Sequence, residues 1–151
     1  MKKIYDLDKV SLVGIFLMYF FLEIIMLFLG DKNMVGAPAA AMKFKFFIFA
    51  IKAILSFAVF YGIFYLLLKN TKADMRVVFV NIIVGLVVTS ILSSLVFAFI
   101  SKDANILYRI ITGAIGFGLM MWLNWKNLKI DQTNKIKITV WNVIWFVLSI
   151  V

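Results

Sequence analysis

The stretch VSLVGIFLMYFFLEIIMLFLG, Val10 to Gly30, decides the fold. It holds fourteen Leu, Ile, Phe or Val residues and a single acid, Glu23. At about −0.4 kcal/mol each, the fourteen contribute roughly −6 kcal/mol to membrane insertion, which outweighs roughly +3 kcal/mol for a carboxylate at depth. As a helix rising about 1.5 Å per residue, the stretch crosses a hydrocarbon core about 30 Å thick. It therefore reads as a transmembrane helix that tolerates a buried acid. Lys2 and Lys3 before it and the small residues Gly36 to Ala41 after it have the outline of a cleaved signal sequence. The apolar run is longer than the usual core of about 7–15 residues, and Asp31, Lys32 and Asn33 intervene, so the expectation is an uncleaved span.

Three further apolar runs of spanning length follow, at 44–68, 77–100 and 106–125. A fifth, 138–151, has only fourteen residues. It reads as a short span, a re-entrant piece or an interfacial helix anchored by Trp141 and Trp145. The expected fold is all-α: a multi-pass transmembrane helical bundle with four firm spans and a short C-terminal fifth helix. One integral-membrane domain, 1–151, accounts for the whole chain. The composition agrees, with 65% hydrophobic and 15% charged residues, against about 25% charged in soluble domains. One Pro and eight Gly in 151 residues leave no flexible linker between domains.

The chain has no Cys and no His. Disulfides, thiol nucleophiles and zinc, haem or iron–sulfur ligation by those residues are excluded, as is the commonest general base. Six of the seven acids lie in termini or connections, so no carboxylate cluster offers a metal site. Gly113, Gly116 and Gly118 sit inside an apolar run, not in a phosphate-cradling loop. No cofactor, no metal and no enzymatic activity are expected. The net charge of +9 comes from Lys and Arg flanking the apolar runs, without the aromatic interleaving of a nucleic-acid surface. The expected partners are the lipid bilayer and either a second copy of the chain or a membrane partner subunit, with no nucleic acid.

Charge asymmetry gives an orientation. With the N-terminus cytoplasmic, ten Lys or Arg residues fall inside and five outside. That bias favours N-in, in a bacterial-type cytoplasmic membrane. Trp122 and Trp125 then precede Lys126 and Lys129 at the inner boundary, as an interfacial belt requires.

Two ionisable residues lie deep in apolar runs, Glu23 in the first and Lys52 in the second. Buried charges in membranes are costly and tend to have a partner or a task. Counted from the shared outer end of the first two spans, the two fall within about 3 Å of one depth. Tyr19 stands four residues before Glu23 and Ser56 four after Lys52, each on the same helix face. Arg109 enters from the outer side and competes for Glu23. Two readings stay open: a charged pair that joins two helices, and a relay for protons, ions or substrate.

The third run carries a stripe, Asn81, Gly85, Thr89 and Ser93, with Ser90 and Ser94 beside it. The fourth offers Thr112 with Gly116, Ala114 with Gly118, and Gly113. Small residues four apart let helix backbones approach, and hydroxyls or amides bond across the contact. The stripe reads as tight packing of these spans or as the lining of a polar path. Two functions follow from these features: a small transporter or channel-like protein, or an accessory, scaffold or immunity-type membrane subunit acting through helix contacts.

Overall fold

The computed structural model describes Tyr5 and residues 7–30, 38–99 and 106–150. Lys2, Lys3, Lys32, Lys102, Val151 and the small residues at 36–37 lie outside the described residues. Among the described residues the chain is helical without strands, in five helices. These are α1 (Lys9–Gly30), α2 (Ala39–Leu68), α3 (Met75–Phe99), α4 (Ile106–Asn127) and α5 (Gln132–Ile150). The first four are long and apolar enough to cross a membrane. The fifth is 19 residues, longer than its apolar run.

Acids outside the apolar runs start three of the five helices. The carboxylate of Asp8 accepts from the Ser11 N–H at 2.9 Å, that of Asp74 from the Arg76 N–H at 2.9 Å, and that of Asp131 from the Asn134 N–H at 3.2 Å. Each satisfies a donor that has no partner within the first helical turn. The carboxyls of Asp8 and Asp131 are held below the usual carboxylate range, first by side-chain hydrogen bonds from Ser11 and Asn134 respectively. Asp131 also explains why α5 begins six residues ahead of the apolar run at 138. The α2 helix likewise begins early, at Ala39 behind Pro38, so Lys43 and Lys45 lie within its first turns.

The up-and-down order puts the starts of α1, α3 and α5 at one end, called here the proximal end, with the ends of α2 and α4. The helices close into a ring: α1 packs on α2 and α3, α3 on α4, α4 on α5, and α5 back on α2, with α2 also touching α3 across the middle. Phe60, Phe64, Phe117 and Met120 fill the centre, each nearly or fully buried. Trp145 stacks on Phe60 with ring centroids 5.1 Å apart, and the Trp141 indole N–H donates to the Phe60 carbonyl at 3.4 Å. Large apolar side chains such as Phe44, Phe47, Leu66, Ile106 and Leu148 point outward. A bilayer solvates that surface, so the helices meet by fit and by polar contacts rather than by water-driven burial.

Candidate functional site

Helix α3 presents two polar faces to two neighbours. One face carries Asn81, Gly85, Thr89 and Ser93 against α4. The Asn81 amide Nδ2 donates to Asn124 Oδ1 at 2.9 Å, and Ser93 donates to Thr112 Oγ1 at 3.0 Å. Between these rungs the backbones close up. A Cβ added to Gly116 would stand 1.9 Å from Thr89 Oγ1 and 2.5 Å from the Gly85 carbonyl oxygen. One added to Gly85 would stand 2.7 Å from Met120 Cβ. All six stripe residues, Asn81, Gly85, Thr89, Ser93, Thr112 and Gly116, are thus on one seam. Gly113 belongs to another contact, beneath the Phe146 ring of α5, and Gly118 meets nothing within 4 Å.

The other face of α3 carries Ser90 and Ser94 against α1. The Ser90 hydroxyl donates to Glu23 Oε2 at 2.7 Å, and the Ser94 hydroxyl reaches Met26 Sδ at 2.8 Å. Tyr19 is buried one turn from Glu23, and its ring lies 5.9 Å from that of Phe57. Glu23 makes no other hydrogen bond to described residues.

The structure does not join Glu23 to Lys52. No ion pair within 4.0 Å links them, and Lys52 and Ser56 lie on an exposed face of α2. The Arg109 guanidinium instead donates to the Ser149 carbonyl at 2.8 Å, near the C-terminal end of α5, where a cation suits the helix dipole. Of the residues grouped with Glu23 by sequence, only Tyr19 shares its buried face. Ser90 is the partner that sequence reasoning missed. The signal for it was present: Glu23 lies fourteen residues into α1 and Ser90 fifteen into α3, and both helices start at the proximal end.

A third polar group lies toward the proximal end. Asn127 Nδ2 donates to the Tyr5 hydroxyl at 2.6 Å, Tyr5 donates to Asn81 Oδ1 at 3.0 Å, and Asn81 continues to Asn124. Burial pushes the Tyr5 hydroxyl up from its ordinary pKa, against a smaller opposing effect of the Asn127 amide, which suits its role as a donor. Among the described residues, three buried side-chain polar atoms have no hydrogen-bond partner: Asn124 Nδ2, Asn142 Nδ2 and Asn142 Oδ1. Each such atom costs about 1–3 kcal/mol when left unmade.

Among the described residues no group of three or more acids could hold a metal ion. Compared with protein-family models, curated proteins and solved structures, the chain matches none.

Proposed function

We propose that this protein is a small transporter or channel-like protein of a bacterial-type cytoplasmic membrane, oriented with its N-terminus in the cytoplasm, and that Glu23 carries a proton or cation. The observation behind this reading is the Glu23 carboxylate itself. It sits about two-thirds of the way along a spanning helix, takes one hydrogen bond from Ser90, and among the described residues has no cation within 4.0 Å. A charged pair that merely joined two helices would satisfy itself; this carboxylate does not. Intramembrane acids with no ion-pair partner among the described residues commonly mark ion paths.

The test is flux in liposomes holding the purified chain, read with an internal pH dye under a potassium diffusion potential. Glu23→Gln is expected to lower proton flux at least tenfold while the helix content is unchanged. Equal flux in the wild type, Glu23→Gln and empty liposomes would overturn the reading.

One observation favours a second function, that of an accessory subunit. Lys52 and Ser56 face outward from the middle of α2, where a lipid-facing ammonium is costly. A partner helix bearing an acid at that depth would cover them. Co-purification from native membrane, lost in Lys52→Met, supports that function; an unchanged set of co-purifying proteins counts against it.

A further inference from the structure

Positive charge gathers where α4 ends and α5 begins. Residues 122–137 hold four lysines, Lys126, Lys129, Lys135 and Lys137, and one acid, Asp131. The Asp131 carboxylate accepts from the backbone and side-chain amides of Asn134 and is attracted to Lys137. Lys126 and Lys135 make no ion pair with a described residue. Each ammonium lies by a tryptophan ring of α4 instead. Lys126 Nζ stands 4.7 Å from the centroid of the Trp122 ring, and Lys135 Nζ 5.8 Å from that of Trp125. The two rings are three residues apart, so they are neighbours on one helix face. That face looks outward, the rings being 51% and 42% exposed. Trp125 and Lys135 are held firmly. The Trp125 indole N–H donates to Thr139 Oγ1, the Thr139 hydroxyl to the Lys135 carbonyl, and the Lys135 ammonium to the Trp125 carbonyl, each at 2.8 Å.

An ammonium carries three donors, and Lys135 spends one on the carbonyl. Lys126 and the Trp122 indole N–H donate to no described residue. Deeper along the same face, four and eight residues before Trp122, stand Gly118 and Ala114. Gly118 has open space where a side chain would be, which leaves a shallow trough on the lipid side of α4. Cationic donors at the end of a span, above an apolar trough, fit a molecule with an anionic head and a hydrocarbon tail. We propose that Trp122, Lys126 and Lys135 bind the phosphodiester headgroup of an anionic phospholipid, with one acyl chain along Gly118 and Ala114. Tryptophan rings sit at headgroup level, and basic clusters at that level attract anionic lipid. A zwitterionic headgroup brings its own cation to the lysines and is the poorer ligand. This inference is independent of any transport by Glu23 and of which leaflet the proximal end faces.

Tryptophan quenching by lipids with brominated acyl chains tests it, on the full chain in phosphatidylcholine nanodiscs. Brominated phosphatidylglycerol is expected to quench with an apparent affinity about tenfold above that of brominated phosphatidylcholine. Lys126→Gln combined with Lys135→Gln should remove this preference. Lys72→Gln combined with Arg76→Gln takes the same charge from another part of the proximal end and should leave it in place. Equal quenching by the two lipids in the wild-type chain overturns the inference. So does an equal loss in the two double variants, which marks diffuse attraction to a charged surface. So does loss of the preference on adding inorganic phosphate at constant ionic strength, which assigns the site to a free ion. Should the first double variant fail to fold, Lys126→Gln alone replaces it and should halve the preference at least; an unchanged preference there also overturns the inference.

Discussion

At the residue scale, the chemistry of each polar group follows from which neighbour it faces. Glu23, Ser90 and Lys52 share a depth, because Lys52 lies sixteen residues before the end of α2 at the same proximal end. Depth is set by counting along helices of fixed rise, and it was legible in the sequence. Azimuth is set by how each helix rotates against its neighbours, and it was not: Ser90 turns toward Glu23, while Lys52 turns outward. Ser90→Ala should therefore disturb Glu23 more than Lys52→Met does, read as a larger change in the carboxyl stretching band in infrared difference spectra. Tyr5→Phe leaves the buried oxygen of Asn81 without its donor, and a loss of about 1–3 kcal/mol in unfolding stability is expected in a detergent titration. Asp131 gives a pH prediction. Its carboxyl titrates lower in the folded chain than in the unfolded one, so its contribution is present above the ordinary carboxylate range and is lost as pH falls through the folded value. The melting temperature should drop below about pH 4, and drop less steeply in Asp131→Asn, which keeps an N-cap but cannot be protonated there.

At the element scale, the α3–α4 seam is the tightest contact, and two glycines permit it. Nothing at Gly116 larger than hydrogen fits between Thr89 and the Gly85 carbonyl. Gly116→Ala should force the helices apart at about 1–3 kcal/mol, measured as a lower midpoint in denaturing detergent. Gly118→Ala, two residues on and in open space, should be neutral or stabilising by up to about 1 kcal/mol. Equal effects at the two positions would mean that close approach is not what the seam requires. The stripe itself was visible at four-residue spacing, since that spacing names one helix face whatever packs on it. The true length of α5 was not visible. Its first turns carry Lys135 and Lys137, which interrupt the apolar pattern, while Asp131 caps the helix ahead of them. Lys135 reaches back to the Trp125 carbonyl at 2.8 Å, so that polar turn is tied to the end of α4.

At the scale of the whole molecule, the ring closes only because α5 fits between α2 and α4 with Trp141 and Trp145 over Phe60. Phe60→Ala should cost about 3 kcal/mol, the lower end for a buried Phe, because the side chain exchanges protein contacts for lipid rather than for water. The absence of cysteine from the chain makes its topology directly measurable. Lys72→Cys and Lys129→Cys sit in turns at the proximal end, and Lys43→Cys lies near the start of α2 at the other. With the N-terminus cytoplasmic, an impermeant maleimide added to intact cells should label only Lys43→Cys. Labelling of the other two alone would reverse the orientation.

The sequence by itself determined that this chain is a helical membrane bundle, where its four long spans lie, and how deep each polar residue sits. Insertion energy and helical rise depend on residue type and count alone, so no tertiary contact was needed. Only the tertiary structure decided which residues meet: Glu23 with Ser90, Arg109 with the end of α5, and Asn81 with Asn124. In a bilayer the helices are not driven together by water, so small differences in fit and hydrogen bonding select each helix's rotation. Those differences belong to pairs of faces and are not written in either face alone.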